Sequence, residues 1–259
     1  MVIGGGPAGM EAAVLCRLRG HDVSLFEKED ALGGQWKVAC SIPGKEYYAT
    51  LTQNLENKLK KLSVPIRLNT LVTGRIVKDT RPDIAIIATG AIPSDLAIPG
   101  SNQNNCFQAN DVITGKAIAG NRTVVIGSSM VALETALMLA RRGKNITLVS
   151  HGKLGGRKGP DDMITFRGLL RGIVSLKIPF FLNCEVLELN KGSLIVRLEQ
   201  EILPLPADTL VLAIGVKPAD SLMSELKGLV PEIYPIGDCV MPGNAAQATY
   251  SALRLALKL

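Results

Sequence analysis

The sequence predicts an α/β fold of two domains, the second inserted in the first, and three observations carry that prediction. A β-branched run enters a glycine turn at Met1-Val2-Ile3-Gly4-Gly5-Gly6-Pro7-Ala8-Gly9 and leaves it as a helix. The pattern recurs at Thr123-Val124-Val125-Ile126-Gly127-Ser128-Ser129-Met130-Val131-Ala132, and Ile236-Gly237-Asp238 arrives near the C-terminus. One strand–glycine–helix turn is weak evidence; two, with a late Gly-Asp that belongs with the first, indicate one domain interrupted by another. The 259 residues, 47% hydrophobic and 20% charged, suffice for two globular domains of about 100–150 residues each.

The elements follow in order. Residues 1–3 read as a strand and 8–19 as a helix, with Met10, Ala13, Val14 and Leu18 apolar; residues 23–26 close a βαβ unit. Only three residues precede the first glycine, against about 5–6 in a typical buried strand, so the natural chain is expected to continue upstream. Gly33-Gly34 opens a loop, residues 47–62 form a helix with Leu51, Leu55, Leu59 and Leu62 on one face, and 65–71 and 83–88 form strands. The Pro-, Asn- and Gly-rich stretch 91–122 marks a crossing between domains. A second βαβ unit follows at 123–126, 130–142 and 146–149, then a glycine-rich loop over 151–162, expected to be disordered without ligand. A helix at 163–175, a strand at 179–189 and a hairpin at 193–204 complete the insert. Strands at 209–214 and 232–236 and a helix at 245–257 end the chain. The expected domains are 1–117 and 206–259 for the first nucleotide-binding domain and 118–205 for the second.

Composition excludes several classes. The net charge of +6 is scattered and aromatic content is 4%, so neither a basic stripe nor a stacking platform for nucleic acid is present. No stretch approaches the roughly 18–20 apolar residues of a membrane span. Five dispersed cysteines, with no C-x-x-C or zinc spacing, read as thiols of a cytoplasmic protein. His21, His151, Cys40 and Cys239 have plain structural readings, and no metal ligand set or Ser-His-Asp arrangement is seen.

Gly4-x-Gly6-x-x-Gly9 is a dinucleotide fingerprint in its strand–turn–helix context. Gly4 permits the tight turn, Gly6 lets a pyrophosphate approach the backbone, and Gly9 lets the helix pack on the strand. With Pro7 and Ala8, the turn presents its N–H groups and the helix dipole to an anion. Glu27, followed by Lys28, ends the second strand, where a carboxylate binds ribose hydroxyls. Asp238, ahead of Pro242-Gly243-Asn244 and a helix, suits a polyol ligand, with helix capping as the plainer alternative.

Glu27-Lys28, Leu32-Gly33-Gly34-Gln35, Pro43-Gly44-Lys45, Ala88-Thr89-Gly90-Ala91-x-Pro93, Ile98-Pro99-Gly100 and Ile236-Gly237-Asp238-Cys239 together resemble the C-terminal half of the NADH:flavin oxidoreductase (old-yellow-enzyme-like) family, whose members include 2,4-dienoyl-CoA reductase and trimethylamine dehydrogenase. The resemblance covers nearly the whole chain and implies two Rossmann-like dinucleotide-binding domains of the disulfide-reductase type, with FAD on the discontinuous one. It implies that Gly4, Gly6 and Gly9 hold the FAD pyrophosphate and Glu27 the adenosine ribose. Gly34 and Gln35 would line the diphosphate and ribityl region, Val72 the adenine through its backbone, and Asp238, after Gly237, the ribityl chain; Ala88, Thr89 and Gly90 belong to the same site. It further implies FMN and a [4Fe–4S] cluster in an N-terminal barrel absent from this chain, to which electrons would pass.

The second turn departs from the pattern. Gly127 is kept, but Ser128-Ser129 puts a Cβ where Gly6 has none, and Ala132 replaces the third glycine. The second strand ends in Ser150-His151 rather than an acid, and with Arg157 and Lys158 close behind this favours the 2′-phosphate of NADPH over NADH. Three readings stay open: an NAD(P)H site, an adenine-nucleotide site, or an empty structural fold. The leading expectation is an NAD(P)H-dependent electron-transfer module feeding the barrel. The alternatives are a self-contained NAD(P)H-dependent flavin reductase and a non-catalytic relay; a thioredoxin reductase is disfavoured by the missing C-x-x-C.

Overall fold

The structure, a computed structural model, describes residues 1–101, 105–155, 162–190 and 192–259. The chain forms two compact units: residues 1–40, 44–92 and 216–259 make the first, residues 41–43 and 93–215 the second.

The first unit begins with β1 (Val2–Ile3), α1 (Pro7–Leu18), β2 (Leu25–Phe26), α2 (Gln35–Cys40), a 3₁₀ turn (Glu46–Ala49), α3 (Thr50–Lys61), β3 (Ile66–Arg67), α4 (Gly74–Thr80), β4 (Ile84–Ile87) and β5 (Ala91–Pro93). The second contains β6 (Cys106–Gln108), α5 (Ala109–Ile113), β7 (Arg122–Ile126), α6 (Met130–Arg141), β8 (Asn145–Val149), α7 (Met163–Ser175), β9 (Phe180–Phe181), β10 (Cys184–Asn190), β11 (Ser193–Leu198), β12 (Glu201–Pro206) and β13 (Thr209–Leu212). The chain then returns to the first unit with β14 (Val216–Pro218), α8 (Ser221–Leu226), β15 (Glu232–Pro235) and α9 (Ala245–Ala256).

Each unit is built on a parallel five-stranded sheet, in the order β15-β4-β1-β2-β3 in the first and β6-β13-β7-β8-β9 in the second. Such sheets are covered on both faces, so their strands are apolar on both sides. In the first unit Val2, Leu25 and Ile86 face a core with Met10, Val14, Leu55, Leu59 and Leu255 from α1, α3 and α9. Ile3, Phe26, Ala85 and Ile87 point the other way, onto Val77, Leu226 and Val230. In the second unit Val124, Ile126, Val149 and Leu210 pack against Leu189, Leu194 and Val196 of the antiparallel sheet β10-β11-β12. Each buried Leu, Ile or Phe contributes about 1.5–3 kcal/mol.

Strand order reverses direction of growth at β1/β4 and again at β7/β13, and a glycine turn leaves each of β1 and β7. The two switch points therefore lie at the carboxyl ends of the strands that carry the fingerprints, where open α/β sheets bind ligands. The predicted α/β architecture of two Rossmann-like domains, the second inserted in the first, is the one observed.

The details differ from the sequence reading at several places. The chain leaves the first unit after Ile92 and re-enters at Val216, rather than at 117/118 and 205/206. The reason is pairing: β6 and β13 are parallel neighbours, Leu210 opposite Cys106, and β13 also pairs with β7. The expected strand 65–71 shrinks to Ile66–Arg67, because the chain turns back through the Asn69 and Thr70 N–H groups, which donate to the Glu29 and Glu27 carbonyls. The helix expected over 47–62 starts as a 3₁₀ turn and becomes α-helical only at Thr50. The hairpin at 193–204 is joined by β10 into three strands. Of the loop 151–162, residues 156–161 lie outside the described residues, so the disorder expected there stands untested.

Candidate functional site

In the first unit the chain bends sharply at Gly4, whose φ is +108°, and a Cβ there would sit 2.2 Å from the Ala88 carbonyl oxygen. A Cβ at Gly9 would fall 1.9 Å from the Gly4 carbonyl oxygen. Both glycines are thus fixed by backbone against backbone. Gly6 is different: a Cβ there meets nothing within 4 Å, although its backbone is in an ordinary extended conformation. An open cradle at a helix start, where the first N–H groups have no partner inside the helix, fits a diphosphate. Pro7 opens α1 with its φ already helical, and Ala8 is buried beneath the turn.

Glu27 is buried, 5% exposed, and both its carboxylate oxygens are held by backbone. Oε2 accepts the Gly5 N–H at 2.6 Å and Oε1 accepts the Glu29 N–H at 2.9 Å. Each side-chain oxygen retains a further lone pair, so the carboxylate is fixed in place and can still accept two ribose hydroxyls. Gly5, which the fingerprint leaves free, proves constrained: a Cβ there would lie 2.5 Å from Leu32 Cδ2 and 2.9 Å from Glu27 Oε2. Lys28 is exposed and lies 3.7 Å from Glu29 Oε1. Val72 places its side chain in the core with Ile3 and Phe26.

The far side of the turn is equally built. The Gly33 N–H donates to the Gly5 carbonyl at 2.8 Å, which brings Gly34, at φ +51°, beside Gly6: a Cβ on Gly34 would lie 3.2 Å from Gly6 Cα. The Gln35 amide donates to the Ala91 carbonyl, and Thr89 Oγ1 donates to the Ala219 carbonyl at 2.6 Å, which orients the Thr89-Gly90 strand end. Gly237, at φ +68°, donates to Ser251 Oγ, and a Cβ there would come 2.8 Å from Ala8 Cβ. Asn244 and Gln247 form a capping box at the start of α9.

Asp238 is half-buried, and burial pushes its carboxyl pKa up, partly offset by the Gly243 N–H that donates to Oδ1. Because the folded pKa is raised above the unfolded one, the folded chain without FAD holds this proton more tightly. The ionised carboxylate therefore costs stability above its folded pKa, and that cost fades as pH falls into the ordinary carboxylate range. Asp238→Asn keeps an oxygen for Gly243 and is expected to raise the Tm of the FAD-free chain at pH 7, with the gain narrowing as pH is lowered. Scanning fluorimetry across pH checks this; a pH-independent loss would contradict it.

The second unit repeats the backbone plan of the first. Gly4 donates to the Phe26 carbonyl and Gly127 to that of Val149; Ala88 donates to Ile3 and Ala213 to Ile126; Gly33 donates to Gly5 and Gly155 to Ser128. Glu27 donates to Arg67 and Ser150 to Phe181, while Thr70 donates to Glu27 and Cys184 to Ser150. Gly127, at φ +147°, would place a Cβ 2.3 Å from the Ala213 carbonyl oxygen, as Gly4 does against Ala88. Ser129, at φ −74° and ψ 169°, occupies the place of Gly6 and makes no side-chain cap to its helix. Ser150, 3% exposed, occupies the place of Glu27. Arg157 and Lys158, expected to serve this site, lie outside the described residues.

Glu134 escaped the sequence reading. It is buried on α6, and its signal was a single acid inside the largely apolar run Val131–Ala140. Cys239 is buried and donates its thiol to the Ile87 and Ile236 carbonyls, and burial pushes its pKa up, as the plain reading expects. Among the described residues no group of three or more His, Cys, Asp or Glu could hold a metal, and no helix is long and apolar enough to cross a membrane.

A family model described as pyridine nucleotide-disulphide oxidoreductase matches residues 1–254. Among characterised proteins, the chain is similar to a metal reductase of Desulforamulus reducens, at 30% identity over 100% of this chain and 43% of the relative. It is also similar to a bilirubin reductase of Mediterraneibacter gnavus, at 31% over 92% and 37%, and to an NADH oxidase of Thermoanaerobacter brockii, at 32% over 100% and 40%. The chain therefore spans about two fifths of the length of these relatives. Among solved structures, 2-naphthoyl-CoA reductase in complex with 2-naphthoyl-CoA matches with a TM-score of 0.92 and 29% identity, over 100% of this chain and 39% of that one. A thioredoxin reductase of Lactococcus lactis matches in fold, with a TM-score of 0.77 and 21% identity, over 99% of this chain and 96% of its own.

These matches correct the old-yellow-enzyme-like reading. The family model that covers residues 1–254 is that of the pyridine nucleotide-disulphide oxidoreductases, and the two-unit fold by itself accounts for 96% of a thioredoxin reductase. The N-terminal barrel as partner, its FMN and its [4Fe–4S] cluster, and the role of feeding electrons to them are withdrawn.

Proposed function

The chain belongs to the pyridine nucleotide-disulphide oxidoreductase family, an enzyme of the two-domain flavoprotein fold, and from that premise we propose that it is an NAD(P)H-dependent flavin reductase that takes a hydride from NAD(P)H onto FAD. Bound FAD supplies the hydride-accepting and electron-releasing chemistry, which is the cofactor's own. The protein's part is to bind, orient and hold charge.

Gly4, Gly6, Pro7, Ala8 and Gly9 form the diphosphate cradle of the first unit, and Glu27 takes the adenosine ribose. Gly34 and Gln35 line the diphosphate and ribityl side, Ala88, Thr89 and Gly90 shape the strand end, and Gly237 and Asp238 receive the polyol. Val72 offers its backbone to the adenine, and Lys28 stands at the exposed rim. Gly127, Ser128 and Ser129 form the corresponding cradle for the nicotinamide nucleotide in the second unit, with Arg157 assigned to the same end from the sequence. The observation that carries this reading is the carboxylate of Glu27, fixed by two backbone N–H groups beside an open Gly6. A merely structural glutamate needs no empty cradle next to it.

The five free thiols fit a reducing compartment, and we place the enzyme in the cytoplasm on that ground. The test is a dye-linked assay: the FAD-loaded chain should oxidise NADPH or NADH and pass the electrons to an artificial acceptor. No dye reduction with either nucleotide would overturn the proposal.

A further inference from the structure

We infer that a cavity in the second unit, along the edge strand β6, binds a small organic cation: an ammonium group carried on an apolar body. Neither glycine turn contributes a residue to its wall, so the inference stands apart from the proposed function.

The cavity measures about 590 Å³, within the roughly 300–1,000 Å³ of small-molecule sites. Its wall comes from the irregular segment 95–101, from β6, from Asp111 on α5 and from Leu212. Gln108 ends β6 opposite Leu212, the last residue of the parallel strand β13. The cavity therefore reaches the carboxyl ends of two parallel strands, where open α/β sheets take their ligands. Leu96, Ile98, Phe107 and Leu212 make the apolar part of the wall.

The polar part offers acceptors, because its strong donors are already used. The Gln108 amide NH₂ donates to the Ser94 carbonyl at 3.2 Å and to Asp95 Oδ1 at 2.9 Å, which leaves its Oε1 free. The Ser101 hydroxyl gives its one proton to the Ile98 carbonyl at 2.8 Å, so toward a ligand its oxygen can only accept. Asp95 keeps its second carboxylate oxygen. Asp111 keeps both, since its side chain makes no hydrogen bond or salt bridge among the described residues. No Lys, Arg or His lines the cavity. Burial, and after it the Asp95 carboxylate, push the Cys106 thiol pKa up, so this last polar group stays a neutral thiol at neutral pH.

Two carboxylates, an amide oxygen and a hydroxyl oxygen beside an apolar wall call for a ligand that brings donors and positive charge. An ammonium brings both, in charge-assisted bonds about twice as strong as neutral ones. An anionic ligand would face repulsion and a set of lone pairs with nothing to accept. A bare metal ion fits less well, because among the described residues no group of three or more His, Cys, Asp or Glu is placed to hold one.

The test is calorimetric titration of the FAD-loaded chain with benzylammonium, benzyl alcohol and benzoate, which share an aromatic body and differ in head group. The ammonium should bind at least about tenfold more tightly than the alcohol, and benzoate should not bind. Asp111→Asn keeps the size of the side chain and breaks no described bond, and it should erase the preference for the ammonium. Cys106 reports the place of binding: bound benzylammonium should protect it from alkylation by iodoacetamide, read by peptide mass spectrometry, while Cys40 of the first unit alkylates as before. Equal binding of alcohol and ammonium, or saturating ammonium that leaves Cys106 unprotected, overturns the inference with no variant needed. An Asp111→Asn chain of unaltered Tm that keeps the preference overturns it as well.

Discussion

Gly6→Asp is expected to abolish retention of FAD while leaving the fold intact. A side chain at Gly6 meets no protein atom within 4 Å, and the backbone there, at φ −76° and ψ −179°, accepts any residue. The FAD-free chain should therefore lose no more than about 0.5 kcal/mol, the scale of a surface substitution. Filling the cradle with a carboxylate sets volume and like charge against the diphosphate, and affinity should fall at least about 100-fold, or about 2.7 kcal/mol. Gly9→Ala is the converse. Its Cβ would lie 1.9 Å from the backbone oxygen of Gly4, which can yield only by moving the turn, so the fold itself should lose about 3 kcal/mol and about 6–12 °C in Tm. Flavin-to-protein absorbance ratios and melting curves of the two variants separate cofactor from fold. Retention of FAD by Gly6→Asp at unaltered affinity would remove the pyrophosphate from this turn.

Glu27→Gln should damage both the cofactor site and the fold. The carboxylate satisfies two backbone donors, Gly5 and Glu29, and an amide offers only one oxygen. Its NH₂ group must then face one of those N–H groups, and a buried donor left without an acceptor costs about 1–3 kcal/mol. The same change takes an acceptor from the ribose, so FAD affinity should fall at least about tenfold. Melting curves with and without FAD read the two effects separately: the Tm of the FAD-free chain drops, and the stabilisation that FAD adds shrinks. An unchanged FAD-free Tm would mean that the two backbone bonds contribute nothing.

What the sequence revealed and what it hid follow from where each constraint acts. Gly4, Gly9 and Gly127 were legible because their demand is local: a backbone turned so that a Cβ would strike a carbonyl leaves only glycine. Glu27 was legible because it ends a strand in a fixed relation to that turn. Gly5 was not, since its restriction comes from Leu32 and Glu27, which the chain brings back from further along. The short elements α2, α4, α5, α8 and β6 were missed for a related reason. Helices of 5–7 residues and a three-residue edge strand carry too little periodicity to read, and packing rather than propensity forms them. The joins between the units fall elsewhere than the sequence reading put them because β6, three residues long, is a strand only as the partner of β13. The barrel expected upstream had no residues in this chain to constrain it, so the motifs legible here spoke only for the two-domain reductase.

The central claim, that FAD on the first unit accepts a hydride from a nucleotide on the second, is most directly tested by anaerobic titration of the FAD-loaded chain with NADPH while its visible spectrum is recorded. The account predicts that the oxidised flavin band bleaches in proportion to added NADPH and is restored by air. A band that persists through excess NADPH and excess NADH would contradict it.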